Sequence, residues 1–106
     1  MATYEEFRKI ELKIVRIKEV NDHPNADKLY VIIVEAGDKT KQIVAGIKNF
    51  YKKEDLIGRE IVLVDNLDPA VIRGVESNGM LLAASDEKGI AIVTPDREVA
   101  LGSIVK

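Results

Sequence analysis

Between Glu11 and Val20 the apolar residues change phase: Leu12 and Ile14 fall on one face of an extended chain, Val15 and Ile17 on the other. Side chains alternate with a period of two, so a straight strand cannot deliver both pairs to one core. A bulge or sharp coil between Ile14 and Val15 would do so, and a strand bent in this way is what a small barrel requires. With 106 residues the chain is long enough for one hydrophobic core and too short for two, so residues 1–106 read as a single domain.

The remaining elements fit that geometry. Thr3-Tyr4-Glu5-Glu6 is a capping-box pattern and predicts a short helix from Tyr4 to about Lys9, with Tyr4 and Phe7 spaced to lay one apolar edge on whatever lies beneath. Asn21 to Lys28 is a loop by composition. Leu29 to Glu35 is apolar on both alternating faces and reads as a central strand; Gly37-Asp38-Lys39 turns the chain, and Lys41 to Ile47 pairs back as a hairpin. A short helix between Asn49 and Gly58 and a strand from Glu60 to Val64 come next.

Pro69 fixes its own φ and biases Asp68 away from helix, so the fourth strand ends before it. Gly74 and Gly79 then bracket a polar run that holds Ser77 and Asn78, with Arg73 just before it, and Met80 to Ala84 reads as a buried fifth strand. The order β-β-β-α-β-β is that of an OB-fold. The expected architecture is therefore an all-β, five-stranded OB-fold barrel over about residues 11–85, with short N-terminal and inter-strand helices. Beyond it, Ile90 to Val93 and Ile104-Val105 form a C-terminal β extension over about residues 86–106.

Composition removes most chemistry. There is no Cys, hence no disulfide framework or thiolate, and a reducing compartment is expected. No apolar run reaches the length of a membrane span and the N-terminus lacks a signal-peptide stretch, so a soluble cytoplasmic protein is expected, with no membrane partner. One His and no Cys do not make a zinc site; His23 beside Pro24 reads as a loop residue packing its ring or bonding a backbone carbonyl. Ser77 and Ser85 sit in no nucleophile elbow, and Glu5-Glu6, Glu54-Asp55 and Asp86-Glu87 fall in caps and turns. Gly74 and Gly79 precede a strand rather than opening a helix, so they cradle no phosphate. No catalytic residue, metal or cofactor is expected.

What is left is a set of cations and amides in the loops: Lys28, Lys48, Asn49, Lys52, Lys53 and Arg73. If the barrel closes, these converge on the face with which an OB-fold binds oligonucleotides. Each Lys reads equally as a solvated loop residue, and the formal net charge of -2 supplies no bulk positive field, so any nucleic-acid site is a local patch. Met80 reads either as core filling or as a polarizable surface on which a base packs.

Four motifs run in order over nearly the whole chain: Phe7 through Glu11-Leu12-Lys13-Ile14, then His23-Pro24-Asn25-Ala26-Asp27-Lys28-Leu29, then Gln42-Ile43-Val44-Ala45-Gly46-Ile47, and Asn66-Leu67 through Arg73-Gly74-Val75-Glu76-Ser77-Asn78-Gly79-Met80-Leu81. In these the chain resembles the tRNA-binding domain family found at the C-terminus or as a separate beta subunit of methionyl-tRNA synthetases, and in free-standing dimeric tRNA-binding proteins. The resemblance implies a non-catalytic module that binds tRNA by shape and backbone rather than sequence, aids a synthetase (methionyl above all) in trans, and dimerises through its tail. It implies Lys28 and Arg73 as phosphate contacts, and Ser77, Asn78 and Met80 as groups that meet ribose or bases. Val71 stands where the family often has a basic residue, which removes one charge from the implied site, and Val15 stands where a small residue is usual. A related branch of small dimeric OB proteins implies an alternative, a protein-interaction or chaperone-like module on the same barrel.

Overall fold

The computed structural model describes all 106 residues. In chain order the elements are α1 (Tyr4–Arg8), β1 (Leu12–Asp22), β2 (Tyr30–Ala36), β3 (Lys39–Ala45), α2 (Lys53–Leu56), β4 (Glu60–Val64), β5 (Ala70–Ile72), β6 (Val75–Ser77), β7 (Met80–Leu81), β8 (Ala83–Asp86), β9 (Gly89–Ile92) and β10 (Ile104–Val105). Five of them form one antiparallel sheet in the order β3-β2-β1-β4-β7, and β10 pairs with β1 at Leu12 and Lys13. β5–β6 and β8–β9 are separate hairpins. This is the all-β, OB-like barrel expected from the sequence.

β1 does bend, but not where its apolar phase slips. Its pairing with β4 runs unbroken through Ile14↔Val62 and Val15↔Ile61; the register shift lies in its pairing with β2, between Ile17 and Glu19. Lys18 is the extra residue, and it returns Val20 to the face already occupied by Val15 and Ile17. Ile14 is instead buried on the opposite face, beside Val62, with its backbone bonded to Gly102 and Ser103 of the tail. The strand is apolar on both faces because both are covered, so no bulge was needed at Ile14.

The inward face of β1 packs with Ile32 and Val34 of β2, Ile43 of β3 and Ile61 and Leu63 of β4; Leu56, the one buried residue of α2, completes this core. Each such side chain contributes about 1.5–3 kcal/mol by leaving water. The capping box forms as expected, with the Glu6 amide donating to Thr3 Oγ1 and the Thr3 amide to Glu6 Oε1. Its apolar edge finds no floor within the chain, however: Tyr4 is 71% and Phe7 41% exposed.

The fifth strand also departs from expectation. Only Met80 and Leu81 pair with β4; the next strand, β8, turns away to pair with β9, and Met80, Ala83 and Ala84 are exposed rather than buried. The sheet edges β3 and β7 are joined by the residues that precede β7. Ser77 Oγ accepts from the Val44 amide (2.9 Å) and donates to the Gly79 carbonyl (2.9 Å), and the Asn78 amide donates to the Gln42 carbonyl (2.8 Å). Gly79 has φ +124°, and a Cβ there would meet the Val64 carbonyl oxygen at 2.7 Å, so only glycine lets the chain pass.

A charged clasp lies on the same seam. Asp65 receives Lys13 of β1 at 2.8 Å and Lys41 of β3 at 2.6 Å, and Lys41 also donates to the Asp65 carbonyl. Burial acts to raise the Asp65 carboxyl, but the hydrogen bonds from Lys13 and Lys41 outweigh it and hold the group below the ordinary carboxylate range. A carboxyl with a depressed folded-state value stabilises the fold above its unfolded value, near about 4, and that contribution is lost as pH falls through the folded-state value. Asp65→Asn is therefore expected to cost about 1–2 kcal/mol in urea unfolding at neutral pH, the clasp being partly solvated. The gap between wild type and variant should close as the pH is taken from about 5 to below about 3; a gap independent of pH would contradict the assignment.

Candidate nucleic-acid interface

β1 ends at Asp22, β2 begins opposite it at Tyr30, and β3 ends opposite Tyr30 at Ala45, so the segments 23–29 and 46–52 leave the sheet at the same end. The first is anchored by His23, 5% exposed. Its Nδ1 accepts the Asn25 amide at 2.9 Å; the proton therefore sits on Nε2, which donates to the Ile72 carbonyl at 2.9 Å. His23 is thus the carbonyl-bonding loop residue expected from the sequence. Beside this bond Asn25 and Arg73 exchange a reciprocal pair, Asn25 Nδ2 to the Arg73 carbonyl and the Arg73 guanidinium to the Asn25 carbonyl, each at 3.1 Å.

Arg73 and Gly74 form the two-residue turn of the β5–β6 hairpin, and both have positive φ, +52° and +89°. A turn with positive φ at both central positions is best made by Asn-Gly. Arg73 is the one non-glycine residue of the chain in this region, where a side chain with a Cβ is strained by about 1 kcal/mol. The turn displays a guanidinium at the cost of its own backbone preference.

The structure gathers the sequence-predicted residues into two neighbouring groups and leaves some out. Lys28 and Arg73 are exposed, engaged in no ion pair, and rim one hollow of about 440 Å³. Lys48, Asn49 and Lys52 rim a second, of about 350 Å³, around Phe50. Asp22, the last residue of β1, takes Lys48 at 3.1 Å and Lys53 at 3.2 Å; these bonds lower its carboxyl value. Ser77 is buried with its hydroxyl committed to Val44 and Gly79, where it shapes the barrel seam. Asn78 is half-buried on that seam, and Met80, 48% exposed, lies opposite Val64, near the start of β1 rather than its end at Asp22. Sequence reasoning missed Asn25 and Phe50; the latter's signal was an aromatic ring between Lys48-Asn49 and Lys52-Lys53. A hollow of about 500 Å³ lies elsewhere, lined by residues including Arg16, Arg59 and Arg97, where Arg16 is shared between Glu60 and Glu98. No three His, Cys, Asp or Glu side chains come together as metal ligands.

Residues 12–104 match the family model described as "Putative tRNA binding domain". The chain belongs to this tRNA-binding domain family. It is 54% identical over 105 residues to the methionine–tRNA ligase of Pyrococcus furiosus, a match that covers 99% of the chain but only 14% of the ligase. Among solved structures it is similar to a methionyl-tRNA-synthetase-related protein from Pyrococcus horikoshii, with 33% identity, TM-score 0.92, and 100% and 98% of the two chains covered. It is also similar to the CsaA chaperone protein of Picrophilus torridus, at 35% identity and TM-score 0.93 over the whole of both chains.

For a member of this family the strained Arg73 turn predicts that one substitution separates binding from stability. Arg73→Asn relieves the backbone but gives up both the cation and its bond to the Asn25 carbonyl, two stability effects of similar size and opposite sign, so it should move the thermal midpoint by less than about 4 °C while weakening tRNA binding several-fold. Scanning calorimetry and a tRNA titration on the same preparation check it; a midpoint lowered by more than about 8 °C, or unchanged binding, would contradict it.

Proposed function

We propose that this chain is a non-catalytic tRNA-binding module that recognises tRNA by shape and backbone, works in the cytoplasm as a homodimer, and aids an aminoacyl-tRNA synthetase, methionyl in the first place, in trans as a beta subunit or related protein. One observation carries the reading. Lys28 and Arg73, distant in sequence, are held on one hollow by the His23 and Asn25 hydrogen bonds, and neither is neutralised by a carboxylate. Two cations without an ion pair on one hollow suit a phosphate backbone. Lys48 and Lys53, shared with Asp22, and the exposed Lys52 extend the same corner. Asp22, Asp27 and Asp55 stand among these cations, so the positive field is local and modest, as a net charge of -2 requires. The choice of synthetase follows the ligase and the synthetase-related protein named above. The dimer follows the unpartnered apolar strip of Tyr4, Phe7, Ile10 and Ile104, which are 41–71% exposed.

Titration of tRNA at about 50 and 200 mM salt tests the reading: with two or three phosphates neutralised, log affinity should fall with log salt at a slope of about 1.5 to 2.5. Lys28→Ala and Arg73→Ala should each lower the affinity and reduce that slope by about one. Asp22→Asn, which releases Lys48 and Lys53, should raise the affinity. Sedimentation should give twice the chain mass. Absence of tRNA binding even at the lower salt would overturn the proposal. The likeness to the CsaA chaperone protein favours a second reading, a protein-interaction or chaperone-like module; retention of an unfolded client without tRNA affinity would decide for it.

A further inference from the structure

Phe50 is half exposed, and nothing about core packing explains it. Its backbone is fixed on both sides. The amides of Phe50 and Tyr51 both donate to the Ile47 carbonyl (3.0 and 3.1 Å), the Tyr30 hydroxyl donates to the Tyr51 carbonyl (2.7 Å), and the Tyr51 hydroxyl accepts the Ile92 amide (3.0 Å). The ring itself lies against Gly89 so closely that a Cβ there would come within 2.5 Å of Cε1 and 2.7 Å of Cδ1. A glycine at the β8–β9 turn thus serves as a seat for the ring. The hollow at the exposed remainder is lined by Lys48, Asn49, Lys52 and Asp55; Lys48 is shared with Asp22 at 3.1 Å and Lys52 is engaged in no ion pair.

A flat apolar surface held rigid costs little conformational entropy when a ligand covers it. With an amide, the unpaired Lys52 and the Asp22-shared Lys48 beside it, it matches a nucleotide: a π-face for the base, donors and acceptors for its edge, and cations for the flanking phosphates, Lys48 exchanging its Asp22 bond for one of them. It does not match a duplex, whose bases already stack on each other and which would leave the ring exposed to water. Resting on the RNA-binding reading above, we infer that Phe50 is a stacking platform for one unpaired base, with Asn49 at the base edge and Lys48 and Lys52 at the flanking phosphates. The RNA element that this corner takes is therefore a single-stranded loop or bulge rather than a helical stem.

The test compares an oligouridylate of about six nucleotides, a length within the usual site size of a single OB-fold, with a mixed-sequence RNA duplex, by fluorescence anisotropy. Phe50→Leu keeps an apolar side chain on Gly89 but removes the π-face, and should weaken oligouridylate binding about 5- to 100-fold while changing duplex binding less than about twofold. Phe50→Tyr should bind both as wild type does. Arg73→Ala should weaken both. If Phe50→Leu binds oligouridylate as tightly as wild type while Arg73→Ala is impaired, the stacking inference falls and the RNA-binding reading stands. If Phe50→Leu and Phe50→Tyr lose both probes equally, the ring is only a structural support and the inference falls. If wild type binds neither probe nor tRNA, both readings fall together.

Discussion

One buried imidazole organises the corner proposed to bind RNA. His23 carries a proton on Nε2 because Nδ1 is occupied by the Asn25 amide, and that proton is bonded to a backbone carbonyl of the β5–β6 hairpin. A loop that follows β1 and a hairpin nearly fifty residues later are thereby fixed to each other, and with them the two cations that have no carboxylate of their own. A buried polar group left without its partner costs about 1–3 kcal/mol, which makes this joint specific: a shift of either loop leaves a nitrogen of the buried imidazole without its partner. The reciprocal Asn25–Arg73 bonds then set the outer surface of a geometry that His23 sets from within.

The barrel's part is to bring the loops within reach. The bulge at Lys18 curls β1 so that one strand pairs with β4 along its first half and β2 along its second, and the closing seam passes through Ser77, Asn78 and the Asp65 clasp. Stability and the proposed recognition are drawn from different residues. The apolar interior holds the fold; Arg73 and Phe50 work against it slightly, one by a strained backbone and one by an exposed ring. Such local inconsistencies with folding preference are where a binding surface is expected.

Much of this was legible in the sequence because alternation, capping and turn chemistry act over a few residues. The capping box at Thr3, the Gly37-Asp38 turn and the bounds of β4 need no tertiary information. The position of the bulge did, because the two apolar phases of β1 are compatible either with one core reached by a kink or with two covered faces, and only the tail's hydrogen bonds at Ile14 decide between them. The β5–β6 hairpin was hidden because its turn is Arg-Gly, where Asn-Gly or Asp-Gly would have announced it. Ser77 illustrates the limit for the site: a hydroxyl in a glycine-bracketed polar run gives no sign that both its hydrogen-bonding directions are satisfied inside the protein. For Lys28 and Arg73 the sequence supplied the residues, and only the fold supplied their meeting.

The most direct measurement is amide chemical-shift mapping on the isotope-labelled chain during titration with tRNA at low salt. A corner built as described predicts that the perturbed amides cluster at Asn25 to Lys28, Lys48 to Lys53 and Arg73-Gly74, with the His23 ring signals retaining their Nε2-protonated pattern. Perturbations centred instead on the hollow of Arg16, Arg59 and Arg97, or spread evenly over the barrel, would contradict it.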